Sequence, residues 1–274
     1  MKSTKSPKEL AFLHDLYVAS DWDERFAELV DAHVKVPKKG RALYLAAGTG
    51  GHAMALQERA GDKLEMLGVD ESDERLELAR AKAVAIKEKT TFQREELSSL
   101  SFADDRFDVV LGNASMTQPH ELRSILDEMI RVAAPGGAVA WWLPTASSFG
   151  EFFSDFWEAL LNADLPDHGG DVEHLITDLP TVSDVERLSA DAGLQNVESW
   201  TTVEEFDYKS GEEFLNSPLI NDFLMPGWFS SVPESVQARV MQEIVRVIDE
   251  ERHSGQFTLT MKATLVAGKK GRVR

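Results

Sequence analysis

A glycine-rich turn near the start of the chain has the residue types needed to hold a nucleoside-containing ligand. An apolar stretch runs into Gly-Thr-Gly-Gly at 48–51. Glycine suits this place because a backbone that turns sharply and passes close to a ligand leaves no room for a Cβ. Asp70 follows the next apolar stretch, where a carboxylate can accept both hydroxyls of a ribose. Gly48, Gly50, Asp70 and its neighbour Glu71 therefore predict a nucleoside-cofactor site.

The charge around this turn distinguishes two kinds of cofactor. The turn also satisfies the dinucleotide pattern G-x-G-x-x-A, but a dinucleotide carries a pyrophosphate, which needs cations or a helix N-terminus. Acidic residues are frequent here (Asp70, Glu71, Glu95, Glu96) and basic ones are few. A cationic ligand fits this charge better, so a nicotinamide dinucleotide is the weaker alternative.

The elements that position the turn alternate between short apolar strands and amphipathic helices. Strands are predicted at 42–46, 64–69, 90–93, 107–111 and 138–143, and helices at 50–59, 72–87 and 119–133. The strands are mostly continuous apolar runs, as in a parallel sheet covered by helices on both faces. Right-handed crossovers then predict a doubly wound α/β sheet.

The flanking segments have a different texture. Helical periodicity at 7–36, with a break expected near Trp22, predicts an N-terminal helical cap over 1–36. Residues 37–274 are predicted to form one α/β domain with helical insertions at about 145–180 and 205–253. Within it we expect helices at 149–161, 181–192 and 233–253, strands at 197–202 and 257–266, and irregular or mixed structure at 162–180 and 205–234.

Four motifs occur in a fixed order along the sheet region. The glycine turn is followed by Gly-Val-Asp-Glu-Ser at 68–72, Phe-Asp-Val-Val at 107–110 and Glu-Met-Ile-Arg-Val-Ala-Ala-Pro-Gly-Gly at 128–137. In this order and spacing the chain resembles the class I S-adenosylmethionine-dependent methyltransferases over roughly 41–143, and most closely their small-molecule, quinone-biosynthetic branch. The resemblance implies a transferase with a Rossmann-like, mostly parallel seven-stranded sheet, an antiparallel last strand and S-adenosyl-L-methionine as cofactor.

The resemblance also implies roles for single residues. Gly48 and Gly50 would let the backbone approach the amino-acid and ribose parts of the cofactor, and Asp70 would hold the ribose hydroxyls. Glu96 would face the adenine amino group, with the Leu97 amide near the ring. The cofactor-binding set is completed by residues at the ends of the first, second and fourth strands: Ala46, Glu71 and Asn113.

Two positions depart from the family pattern. Ala46 stands where a glycine is usual, which is a mild change. Tyr44 stands where an acidic residue usually helps to hold the methionine ammonium. Weaker cofactor binding follows from that loss, so the alternative function is a catalytically retired binding or scaffold module.

The acceptor side is predicted from aromatic residues outside the sheet. Methyl transfer from a sulfonium needs alignment and exclusion of water more than acid–base groups. A small apolar or aromatic acceptor would be enclosed by Tyr17, Trp22, Phe149, Phe152 and Trp228. If the acceptor needs a base, the candidates are His120 and Tyr17.

Composition limits the partners. With 29 basic and 47 acidic residues, the formal net charge of −18 disfavours a nucleic acid or an anionic membrane surface as partner. The absence of cysteine excludes disulfides and thiolate chemistry, and no apolar run approaches the ~20 residues of a membrane span. We expect a cytoplasmic protein without a metal, although His168 and His174 lie among acids. Nothing in the sequence indicates an oligomeric state.

Overall fold

The computed structural model describes residues 5–251 and 256–272 and contains a seven-stranded sheet with the order β3-β2-β1-β4-β5-β7-β6. The β1–β2, β1–β4, β2–β3 and β4–β5 pairs are parallel, and the last strands are antiparallel. The predicted fold class is therefore confirmed. The strands are β1 Gly40–Leu45, β2 Leu64–Asp70, β3 Thr91–Arg94, β4 Phe107–Asn113, β5 Ala133–Pro144, β6 Leu194–Tyr208 and β7 Phe257–Lys270.

Helices alternate with the strands along the chain. The α-helices are α1 Pro7–Leu13, α2 Asp23–His33, α3 Gly51–Ala60, α4 Asp73–Ile86, α5 Leu122–Val132, α6 Gly150–Asn162, α7 Gly169–Thr177, α8 Val182–Asp191, α9 Gly211–Asn216, α10 Met225–Trp228 and α11 Glu234–Glu251. In the described part of the chain, none of them is both long and apolar enough to cross a membrane.

The strand order places a ligand crevice between β1 and β4. From β1 the chain proceeds outward to β2 and β3, and it then returns to the other side of β1 to form β4 and β5. At this reversal the connections leave the two strand ends in opposite directions, which opens a crevice at the carboxyl ends of the strands. Leu45, Asp70 and Asn113 end the three strands nearest to it.

The N-terminal helices differ from the prediction of a break near Trp22. The segment His14–Trp22 between α1 and α2 is a π-helix, and Trp22 itself has helical φ and ψ of −64° and −54°. Trp22 is fully buried and its ring centroid lies 5.9 Å from that of Phe26. The chain therefore stays helical through the polar Ser20-Asp21 pair, because the rings on its C-terminal side are buried. A wider π turn stands where the break was expected.

Two further predictions about local structure were wrong. The stretch expected to be irregular contains α7, because Gly169 supports a close contact: a Cβ there would lie 2.9 Å from the Trp157 ring. Strand β6 runs through 205–208, where a mixed helical segment was expected to begin. Phe206 and Tyr208 alternate with exposed neighbours, and that period of two is typical of a strand. The predicted helix end at His253 lies outside the described residues.

The chain separates into two compact units. The sheet unit consists of Pro7–Leu143, Thr181–Thr202 and Ala263–Arg274. The insertion unit consists mainly of Pro144–Pro180 and Val203–Lys262, close to the two predicted insertions. The N-terminal helices belong to the sheet unit, and the division into a cap and one methyltransferase domain stays a prediction.

Candidate functional site

One cavity of the sheet unit, here called the strand-end cavity, gathers most of the predicted cofactor residues. It lies at the carboxyl ends of β1, β2 and β4 and beside the loop after β3. Five predicted residues line it: Ala46, Asp70, Glu71, Leu97 and Asn113. Its other walls include His14, Asp23, Arg75, Ser115, Thr117 and Glu121. Residues from the ends of three strands and from the loop after β3 therefore meet around one space.

Asp70 is the most constrained of these residues. Its carboxylate is 2% exposed at the end of β2. Oδ1 accepts hydrogen bonds from the Ser72 amide at 2.9 Å and from Arg75 Nη2 at 2.6 Å, and Oδ2 accepts one from the Gly48 amide at 2.8 Å. Each carboxylate oxygen can accept two hydrogen bonds, so Oδ2 keeps an acceptor position for a hydroxyl. Asp70 thus joins the glycine turn to β2 and can still bind a ligand.

The two predicted glycines adopt backbone conformations that other residues avoid. Gly48 and Gly50 have φ of +56° and +81°. A Cβ on Gly48 would lie 2.7 Å from His14 Cε1, and one on Gly50 would lie 2.5 Å from Phe92 Cζ. The absence of a Cβ therefore lets His14 pack against Gly48 and Phe92 pack against Gly50. The role of the two glycines toward a ligand stays a prediction.

Ala46 has a strained backbone conformation. It has a φ of +51°, in the left-handed region where a Cβ is disfavoured. A residue other than glycine pays about 1 kcal/mol to be held there. The departure from the family glycine is mild, as expected, but it is a strained position that lines the strand-end cavity.

The two acids after β3, Glu95 and Glu96, differ in burial. Glu95 is the buried one, accepting hydrogen bonds from the Ser101 amide at 2.8 Å and its hydroxyl at 2.7 Å. Glu96 is exposed and does not line the strand-end cavity. The Leu97 amide donates to Glu71 Oε1 at 3.1 Å. The predicted contact of Glu96 with adenine stays a prediction that requires its side chain to turn inward.

The Glu-x-x-Arg motif on α5 forms hydrogen bonds with the backbone of the loop after β3. Arg131 donates to the carbonyl oxygens of Leu100 at 3.0 Å and Phe102 at 2.7 Å, and it pairs with Glu128 at 2.6 Å. Glu128 also accepts from the Leu100 amide at 2.6 Å. Hydrogen bonds from Arg131 hold the pKa of the Glu128 carboxyl below its usual value. The motif therefore anchors the chain that follows Leu97 without lining the strand-end cavity itself.

Two cavity residues from the N-terminal helices were missed by sequence reasoning. Burial lowers the pKa of His14 to about 4, so its imidazole is neutral near pH 7. Burial raises the pKa of Asp23 to about 6. Asp23 Oδ1 accepts a hydrogen bond from Asn113 Nδ2 at 2.9 Å. Asp23 stands at the junction of the π-helix and α2, and no motif in the sequence indicated this contact.

A second cavity adjoins the first and shares Asp23, Ala46 and Asn113 with it. On its far side the Tyr44 hydroxyl lies 3.0 Å from His52 Nδ1, and His52 Nε2 lies 3.1 Å from Asp31 Oδ1. Tyr44 is buried, and its ring packs edge-on against Trp142. Burial raises the pKa of Tyr44, so its phenol stays protonated.

Removing the Tyr44 hydroxyl should have a small structural effect. Tyr44→Phe keeps the packing on Trp142 and loses one partly buried hydrogen bond to His52. We expect a loss of about 1 kcal/mol in the free energy of unfolding, measured by urea denaturation. A loss above about 3 kcal/mol would show that the Tyr44–His52–Asp31 chain has a larger structural role than one hydrogen bond.

The predicted acceptor residues are divided between the two units. In the sheet unit, Tyr17 is 42% exposed and Trp22 is fully buried. In the insertion unit, Phe149, Phe152 and Trp228 belong to one aromatic cluster, with the rings of Phe152 and Trp228 stacked at 4.5 Å. His120 is exposed on a short 3-10 turn. The acceptor-pocket and base assignments remain predictions.

A family model described as a methyltransferase domain matches residues 42–137, which contain the glycine turn, Asp70, Leu97 and Asn113. This segment is a methyltransferase domain of the class I kind. S-adenosyl-L-methionine is the cofactor of this family. The resemblance inferred from the motifs, including the quinone-biosynthetic branch, is confirmed.

Curated methyltransferases are similar to about half of this chain. A demethylmenaquinone methyltransferase of Thermus thermophilus is 33% identical over 143 residues, 51% of this chain and 63% of that protein. A norajmaline N-methyltransferase of Rauvolfia serpentina is 32% identical over 117 residues, 42% of this chain and 39% of that protein. The matches thus span about half the length of these curated relatives.

The fold extends beyond the matched segment. The crystal structure of the YcgJ protein from Bacillus subtilis aligns with a TM-score of 0.59 at 19% identity, covering 91% of this chain and all of that one. At this identity the likeness concerns the fold alone.

The strand-end cavity of the methyltransferase domain fits the family cofactor chemically. S-adenosyl-L-methionine presents a sulfonium, an ammonium and ribose hydroxyls, whereas its only anionic group is a carboxylate. The cavity lining offers carboxylates from Asp23, Asp70, Glu71 and Glu121, against one guanidinium from Arg75. Among the described residues, no group of three or more His, Asp or Glu side chains is arranged to hold a metal ion.

Proposed function

We propose that this protein transfers a methyl group from S-adenosyl-L-methionine to a small-molecule acceptor. The observation that carries the proposal is the convergence of Ala46, Asp70, Leu97 and Asn113 on one carboxylate-rich cavity at the β1/β4 crossover point. The cofactor supplies an electrophilic methyl on a sulfonium whose leaving group is a neutral thioether. The protein needs only to bind, orient and exclude water.

The residues of the strand-end cavity divide these tasks. Asp70 Oδ2 accepts from the ribose hydroxyls, as the family resemblance implies. The Leu97 segment, anchored through Arg131, borders the adenine side. Asn113 faces the methionine part. Two hydrogen bonds orient its side-chain amide: Nδ2 donates to Asp23, and Oδ1 accepts from the Ser115 amide at 3.0 Å. The neutral His14 adds no positive charge against the sulfonium.

The acceptor is proposed to be an apolar or aromatic small molecule. Two relatives are named for demethylmenaquinone and norajmaline, which are both small molecules. The net charge of −18 also disfavours a nucleic-acid acceptor.

Titration calorimetry of the purified protein with S-adenosylmethionine and S-adenosylhomocysteine tests the proposal. We expect micromolar dissociation constants, about −8 kcal/mol, followed by transfer of labelled methyl to members of a quinone and amine acceptor panel. No binding at millimolar ligand would contradict the proposal and favour a retired binding module.

Replacing Asp70 should weaken every ligand that contains the adenosyl ribose. Asp70→Asn keeps the shape but loses the charge that ribose hydroxyls and Arg75 use. Hydrogen bonds to charged groups contribute about 1.5–3 kcal/mol, so affinity for S-adenosylhomocysteine should fall about tenfold to hundredfold. Asp73→Asn is the matched control: it removes an exposed carboxylate in the first turn of α4, three residues after Asp70, and should leave the affinity unchanged. An unchanged affinity in Asp70→Asn would remove Asp70 from the site.

A further inference from the structure

Asp23 is a carboxylate without a cation of its own in the described structure. Its Oδ1 accepts from Asn113 at 2.9 Å, and Ser115 is a second hydrogen-bond partner. No lysine, arginine or histidine of the described residues forms an ion pair with it. Burial raises the pKa of Asp23, while the nearby Arg75 attracts its charge and Asp70 repels it. A half-buried carboxylate that forms no ion pair gains stability when a positively charged group binds beside it.

The position of Asp23 identifies where that positive group would come from. Asp23 lines the strand-end cavity together with Asn113 and Ala46, at the end formed by β4 and β1. Asp70 and Leu97 lie at the end formed by β2 and the loop after β3, which the proposed function assigns to the nucleoside. A ligand laid along the cavity from β2 to β4 therefore presents its amino-acid part to Asp23.

We infer that Asp23 binds the ammonium group of the methionine part of the cofactor. The inference rests on the proposed function, because it concerns the same cavity. In this inference the contact with the ammonium comes from α2 and not from β1. Tyr44, the β1 side chain at the position where the family usually has an acid, is turned to His52 and packed on Trp142. A neutral phenol committed to that contact adds no charge at this end of the cavity.

The π-helix explains how an N-terminal helix delivers this carboxylate. The Asp23 amide donates to the Val18 carbonyl, five residues earlier, at the end of His14–Trp22. A π turn widens the helix by about one residue and rotates the side chains that follow. This register lets Trp22 stay fully buried while Asp23, the next residue, reaches Asn113.

Two ligands that differ only in the amino-acid part test the inference. S-adenosylhomocysteine carries the ammonium, and 5′-methylthioadenosine has the same nucleoside thioether without it. In Asp23→Asn, calorimetry should show affinity for S-adenosylhomocysteine reduced about tenfold or more, and affinity for 5′-methylthioadenosine unchanged. Asp21→Asn removes the same charge two residues away on an exposed side chain and should leave both affinities unchanged.

Each other outcome has a definite meaning. Equal weakening of both ligands in Asp23→Asn would show that Asp23 acts through the folding of the cavity, and unchanged affinity for both would show that Asp23 does not bind the ammonium. Either result overturns the inference while wild-type binding leaves the proposed function intact. Failure of the wild-type protein to bind either ligand would overturn both.

Discussion

Gly50→Ala is expected to destabilise the protein by about 2–4 kcal/mol. The added Cβ would lie 2.5 Å from Phe92 Cζ, 2.8 Å from Phe92 Cε1 and 3.0 Å from Ala79 Cβ. Gly50 also has a φ of +81°, which alanine adopts only at a cost. The Phe92 ring is rigid and already occupies the space beside Gly68, where a Cβ would lie 2.7 Å from Cδ1. The same ring therefore limits the space for a Cβ at both glycines.

Urea denaturation measures this effect against the adjacent glycine. Gly51 begins α3, has no heavy atom within 4 Å of its ideal Cβ position, and is not among the positive-φ residues. Gly51→Ala should stabilise the protein by up to about 1 kcal/mol through helix propensity. Gly50→Ala with Phe92→Leu should recover part of the loss. Equal stability of the two single variants would show that the turn relaxes freely.

Asp23→Asn is expected to change stability in a strongly pH-dependent way. Asp23 has a folded-state pKa of about 6 against 3.8 in its ordinary state. The folded protein therefore holds this proton more tightly, so ionised Asp23 costs stability above pH 6 and the cost disappears below pH 4. Relative to wild type, the variant should gain about 2–3 kcal/mol between pH 4 and pH 7. The charged neighbours Arg75 and Asp70 are present in both proteins and cancel in the comparison.

His14 acts in the opposite sense within nearly the same pH range. Its folded-state pKa of about 4, against 6.5, means that the unfolded chain binds the proton first. Its contribution to stability is therefore complete above pH 6.5 and is lost as the pH falls toward 4. Denaturation of Asp23→Asn at several pH values should expose this acid loss, whereas Asp21→Asn should follow wild type. A constant difference between Asp23→Asn and wild type would contradict the assigned pKa of Asp23.

These two residues also mark where sequence reasoning stopped. The glycine turn, the strand ends and the strand order were predictable because each depends on neighbours in sequence or on a general topology rule. The contact between Asp23 and Asn113 joins positions 90 residues apart, and it depends on the π register of a helix whose sequence resembles an ordinary amphipathic one.

The loop after β3 shows a second kind of limit. Motif spacing placed an acid at Glu96, but outside a strand the direction of a side chain depends on its hydrogen-bond partners. The amide and hydroxyl of Ser101 donate hydrogen bonds to the Glu95 carboxylate and hold it inside, whereas the side chain of Glu96 is exposed to solvent. The insertion unit was predicted only coarsely. A glycine such as Gly169 favours a loop when only the sequence is considered, but in the structure it lies in a helix and leaves room for the Trp157 ring.

The position of β7 between β5 and β6 has a consequence for synthesis on the ribosome. β6 emerges first, but its place in the sheet exists only after Phe257–Lys270 has been made, about fifty residues later. β5 ends at Pro144, so at translation rates of about 5–20 residues per second its apolar edge stays open for about 6–25 seconds until β7 has been made. During that interval the nascent chain offers an unpaired strand edge to other proteins. Chaperone dependence of this protein should therefore be greatest before its last strand leaves the ribosome.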